Sequence, residues 1–193
     1  GAPLQRSVNT LDAKRSREVF KIGLLYVRHG QDHQTQIMLN ESRSPGYDMF
    51  VRGLGWEVDM ATHKGYVGGL DTTKFLTGKT APYFSTPNME LMLHDITCMP
   101  TDHKDPQQIH KKRHVGNDVV NIVWSEHERE YNPQTISTQF NCAHVIVYPL
   151  PSGLFRIEIA RKVEQVYPLF GPLINGMCVS AAILAQLVRR TAL

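Results

Sequence analysis

The order of apolar and polar residues divides the chain into short strand-like runs separated by polar or glycine-bearing connectors. "FKIGLLYV", Phe20 to Val27, is a continuous β-rich apolar run, as a strand buried on both faces requires. "MELMLHDITCMP" alternates, with Leu91, Leu93 and Asp95 on one side and Met92, His94 and Ile96 on the other. "VVNIVW" follows a charged stretch, and "CAHVIVYPL" and "GLFRIEIAR" form a strand pair turning at Pro151-Ser152-Gly153. Main strands are therefore predicted over 20–27, 90–98, 119–125, 142–149 and 154–161, with shorter ones in "WEVDM" and "APYFS". In "SPGYDMFVRGLG", Tyr47, Phe50, Val51 and Leu54 recur at helical spacing behind Pro45, which predicts a short helix. The segment 179–193 predicts an amphipathic helix with Ile183, Leu184, Leu187 and Val188 on one face. "RHGQDHQTQ", "KGYVGGLD", "TDHKDPQQ" and "YPLFGPLING" read as loops.

Strand and helix patterns interleave, so the expected fold class is α/β: one domain with a central mixed β-sheet flanked by helices. Residues 1–18 are polar and read as an N-terminal arm that opens on a Gly-Ala-Pro cleavage scar; the domain proper is expected over 19–193. The last helical pattern stops without a closing turn, which reads as a fragment cut from a longer protein. With 193 residues and 41% hydrophobic composition, the chain can bury a substantial core. No run approaches the roughly 18 apolar residues of a membrane span, so direct membrane insertion is not expected. A net charge of +3 argues against a whole-surface polyanion binder, and no aromatics interleave the cations as a nucleic-acid platform would need. Cys98, Cys142 and Cys178 are scattered, which fits a reducing, cytoplasmic setting rather than a disulfide framework or zinc ribbon.

Several common chemistries are poorly supported. Neither "GLGWEV" nor "GYVGGLD" has dinucleotide-fingerprint spacing, and no Gly-Lys-Ser/Thr closes a phosphate loop, so the chain is not expected to bind its own nucleotide. His110 and His114 are four apart, as are His29 and His33, but cations crowd the first pair and no third ligand stands nearby; no metal site is expected. Ser125 and Ser180 lack an elbow motif. Cys142 and His144 fall on one strand face and read as core.

The densest chemistry is "IHKKRHVGNDVVNIVW". A helix over Gln107 to Asp118 would align His110, His114 and Asn117 on one side, because positions i, i+4 and i+7 coincide. That face would be a solvated basic surface, or one that docks an anion-rich partner and presents a carboxamide. Asn is a poor helix former, and its place beside Gly116 favours a purpose other than helix stability.

"KKRHVGND", Lys111 to Asp118, closely resembles the signature of the Rap/Ran-GAP family of GTPase-activating domains. "FKIGLLYV", "GYDMFVRGLGWEV", "KGYVGGLD", "FNCAHVIVYPL" and "LFGPLI" also resemble that family, in its order. The resemblance implies a GTPase activator that supplies a catalytic residue in trans and hydrolyses no nucleotide alone. That residue would be an asparagine thumb, here Asn117, with His114, Gly116 and Asp118 supporting the catalytic helix. Lys111, Lys112 and Arg113 would hold the nucleotide-loaded partner. It implies no cofactor in this chain, since GTP and Mg²⁺ belong to the GTPase. Within the family, "FNCAHVIVYPL" and "KKRH" resemble the tuberin branch, whereas "TAPYFST" and "IVWSEH" resemble the Ral-GTPase-activating branch. The expectation leans to the former, with Rheb as the partner GTPase, Ral as the alternative, and further subunits of a larger complex around it. A non-catalytic interaction module of the same fold is the reading from a different class.

Overall fold

The computed structural model describes residues 5, 16–136, 138–162 and 171–193. Most of the expected N-terminal arm, and Tyr167–Phe170 of the loop "YPLFGPLING", lie outside the described residues. The strands are β1 (Glu18–Val27), β2 (Trp56–Asp59), β3 (Thr80–Ser85), β4 (Met89–Asp95), β5 (Val120–Ser125), β6 (Ala143–Pro149), β7 (Leu154–Arg161) and β8 (Cys178–Ser180). They form one eight-stranded sheet in the order β2-β3-β4-β1-β5-β6-β7-β8. The inner pairs β4–β1, β1–β5 and β5–β6 are parallel, and the outer pairs are antiparallel. The α/β class and the mixed sheet expected from the sequence are both present.

Among the described residues, four helices cover the sheet: α1 (Gln34–Met38), α2 (Pro45–Leu54), α3 (Ile109–Gly116) and α4 (Ala181–Ala192). Alternation along β1 decides which face each helix meets. Ile22, Leu24 and Tyr26 join Tyr47, Phe50 and Leu54 of α2 and Leu184 and Val188 of α4 in one core. Leu25 and Val27 join Ile37 and Met38 of α1 and Val115 of α3 in another. A strand buried on both sides needs a continuous apolar run, which is why "FKIGLLYV" does not alternate. Gly23 faces α3: a Cβ there would collide with Asn121 Oδ1 and come within 3.2 Å of Val115 Cβ. Helix α2 begins as its sequence dictates, with Ser44 Oγ accepting from Tyr47 N at 3.2 Å and Pro45 in the first turn. No helix of the described residues is long and apolar enough to cross a membrane.

Three boundaries that differ from expectation have a local cause. The predicted strand 90–98 ends at Asp95, because Asp95 O accepts from Cys98 N and its carboxylate accepts from Thr97 N at 2.8 Å, which turns the chain. The loop "RHGQDHQTQ" runs into α1, whose start is fastened by Gln36 Oε1 accepting from His33 N and Asp32 N, both at 3.0 Å. The helix predicted over 179–193 starts at Ala181, because Cys178–Ser180 pair with β7 and Val179 enters the core. Its buried side is Leu184, Val188 and Ala192, with Leu187 at the margin and Ile183 46% exposed.

Candidate functional site

Helix α3 connects β4 to β5, and its last turn delivers the "HVGND" segment to the start of β5. The helix is shorter than the predicted Gln107–Asp118. Gln108 precedes it with φ 46°, and Ile109 N donates to Asp105 Oδ2 at 2.6 Å, which fixes the first turn. Its inward side is Lys111, Val115 and Gly116.

Lys111 corrects an expectation. It was expected to contact a partner, but it is 0% exposed. Its ammonium donates to Met38 O at 3.0 Å and to Thr101 Oγ1 at 2.9 Å, tying α3 to α1 and to the loop after β4. Burial pushes its pKa down to about 8, against the opposing pull of Glu41 and Asp95. Lys112 is half-buried and Arg113 is exposed, so the cationic surface of this helix rests on those two.

Asn117 does not continue the helical face of His110 and His114. It is the C-cap, with φ −95° and ψ 3°, and its N–H donates to His114 O at 3.0 Å. Its side chain is exposed, and among the described residues only its backbone groups are hydrogen-bonded. The carbonyls around it are taken by groups from other elements. Asn117 O accepts from Lys21 Nζ at 3.2 Å. Val115 O and Asp118 O accept from the buried Asn141 Nδ2 at 3.0 and 2.6 Å. Gly116 O accepts from Thr138 Oγ1, and Lys162 Nζ holds Thr138 O at 2.7 Å. Gly116 allows this approach, since a Cβ there would lie 2.8 Å from Thr138 Cγ2.

Asp118 is fully buried beneath the cap. Its Oδ2 lies 2.7 Å from His94 Nδ1, and its Oδ1 faces Lys21 Nζ at 3.3 Å. His114 packs edge-on against His94, with ring centroids 5.5 Å apart. Burial, and then the nearby His94 and Arg113 charges, push the His114 pKa down to about 4, so its ring is neutral at pH 7. The rim beside the cap is mixed: Val119 is 51% and Phe140 58% exposed, on segments joined by the Cys142 N to Val119 O bond. An exposed amide on a fastened backbone, with cations and apolar side chains beside it, is suited to insertion into another molecule.

The Rap/ran-GAP family model matches residues 37–193. The chain belongs to the Rap/Ran-GAP family. It is 45% identical over 190 residues to the Drosophila melanogaster "Probable Rho GTPase-activating protein CG5521", covering 98% of this chain and 9% of that protein. It is 44% identical over 188 residues to the Mus musculus "Ral GTPase-activating protein subunit alpha-2", covering 97% of this chain and 10% of that protein. The chain thus spans about a tenth of these relatives' length. Among solved structures, the TSC2 GAP domain superposes with a TM-score of 0.82 at 30% identity, covering 91% of this chain and 93% of that one.

The other candidates of this Rap/Ran-GAP domain are occupied elsewhere. His110 Nε2 donates to Pro100 O at 2.7 Å, well apart in role from His114. His29 lies against His127, while the exposed His33 caps α1. Ser125 is buried at the end of β5, and Ser180 stands at the N-cap position of α4. Cys142 and His144 are both buried, as a core reading requires. Lys21, His94, Thr138, Asn141 and Lys162 were not singled out from the sequence. No local pattern marks them, because they meet the Asn117 segment from stretches distant in sequence.

Proposed function

We propose that this domain accelerates GTP hydrolysis by a Ras-like small GTPase and that Asn117 is the residue it inserts. The observation that carries this reading is the exposed Asn117 carboxamide on a backbone held from several sides. An amide both accepts and donates hydrogen bonds, so it can take one from the attacking water and give one towards the γ-phosphate. Fixing the water in line removes much of the entropic part of the barrier, and a preorganised dipole stabilises developing charge. GTP and Mg²⁺ are carried by the GTPase. Arg113 and Lys112, with Lys21 beside the cap, attract the anionic partner. Val119 and Phe140 supply apolar contact area.

Ral is the favoured partner class, supported by 44% identity to the mouse Ral GTPase-activating subunit across nearly the whole chain. Rheb is the second reading, favoured by the tuberin-like segments and the backbone match to the TSC2 GAP domain. The word "subunit" in the mouse relative's name supports assembly with further chains. This reading places the domain in the cytoplasm, brought to membrane surfaces by its partners. The test is single-turnover GTP hydrolysis by Ral, Rheb and a Rho-type GTPase with the wild type and Asn117→Ala. The variant should lose on the order of 10²-fold or more of the stimulated rate. Its affinity for the GTP-loaded partner should fall far less, because the interaction forms chiefly in the transition state. A folded Asn117→Ala domain that stimulates like the wild type refutes the thumb, and stimulation of Rheb over Ral reverses the choice of partner.

A further inference from the structure

His94 stands on β4 with 1% exposure, paired in register with Gly23 of β1. Its Nδ1 lies 2.7 Å from Asp118 Oδ2 and its Nε2 lies 3.1 Å from Gly68 O. A peptide carbonyl only accepts, so Nε2 carries a hydrogen. The other Asp118 oxygen faces the Lys21 ammonium at 3.3 Å. Gly68 takes φ 63°, and a Cβ there would lie 2.9 Å from His94 Nε2; only glycine lets the loop carbonyl reach the ring. Asp118 follows Asn117 directly, and Lys21 grips both Asp118 Oδ1 and Asn117 O. The neutral His114 ring packs against His94 without adding charge.

We infer that His94 is a positioning residue for the thumb: through Asp118 it ties Asn117 to β4 and to the glycine loop at Gly68. This rests on the proposed role of Asn117, and it concerns how that residue is aimed. Asparagine at position 94 sets an amide nitrogen near the His Nδ1 position, and glutamine sets one near Nε2. His94→Asn thus retains the bond to Asp118, whereas His94→Gln retains only the bond to Gly68. His94→Gln should lower the maximal single-turnover rate about tenfold, with the half-saturating GAP concentration within about twofold, as expected when a reacting group is misplaced. His94→Asn should stay within about threefold of wild type on both. Amide exchange of the isolated domain gives a readout that needs no GTPase. The Asn117 N–H should exchange faster in His94→Gln than in His94→Asn, with α4 unchanged in both. Equal losses in the two variants, a loss of affinity without a loss of rate, or unchanged Asn117 exchange in His94→Gln overturns the inference. If the wild type activates no GTPase yet the exchange contrast appears, the tether stands and the proposed function falls.

Discussion

Lys111→Met separates the structural lysine of the "KKR" run from its neighbours. Methionine keeps an unbranched chain in the same space and removes the ammonium. The Lys111 pKa falls from an ordinary 10.5 to about 8, chiefly because the side chain is buried. At about 1.4 kcal/mol per pH unit, burying the charged form costs the fold at most about 3.4 kcal/mol at neutral pH. Between about pH 8 and 10.5 the unfolded chain still holds the proton that the folded chain has released. Stability therefore rises with pH through that window, and the penalty is fully present below it. The neutral amine keeps two N–H donors, so the bonds to Met38 O and Thr101 Oγ1 survive deprotonation. Urea unfolding of wild type and Lys111→Met at matched pH cancels the titration of other groups. The wild type should gain on the variant by about 1.3 kcal/mol from pH 7 to 9, and by about 2.5 kcal/mol by pH 10. A stability difference that is flat or shrinks over that range would refute a buried, proton-shedding Lys111.

Two further outcomes follow from the same geometry. Neutralising Lys112 and Arg113 together should weaken association with the GTPase and flatten its salt dependence, with the maximal stimulated rate retained, as measured by titrating the GAP at several ionic strengths. An unchanged double variant at low salt would reduce that surface to a solvated face. Asn141→Ala strands the carbonyls of Val115 and Asp118 in the interior and should cost about 2–4 kcal/mol in urea unfolding. A loss below about 0.5 kcal/mol would mean that water replaces the amide.

The central strands β1, β5 and β6 were legible because they are buried on both faces and read as largely apolar, β-branched runs. Helix α2 was legible from Pro45 and its apolar spacing. Strand β8 was not, since Cys178–Ser180 is too short to show a period and acquires its state from pairing with β7. Lys111 was misread because a lysine counts as polar whatever surrounds it, and its acceptors at Met38 and Thr101 are visible only after folding. The segment around Asn117 stood out in the sequence, but Asn141 and His94, which bond to that segment, lie 24 and 23 residues from Asn117 and enter through tertiary contact. Asn117 was expected on a helical face, whereas the chain leaves the helix there, which points the amide outward.

Asn117 stands at the carboxyl end of α3, the negative pole of that helix's dipole. Proteins that hold a phosphate themselves more often offer the opposite pole, where unpaired N–H groups point at the anion. A triphosphate approaching Asn117 would instead meet a crown of carbonyl oxygens. Lys21, Thr138 and Asn141 occupy that crown, so the repulsive pole is quenched before a partner arrives. The site is thereby suited to pass close by a nucleotide that another protein grips, and poorly suited to capturing one from solution.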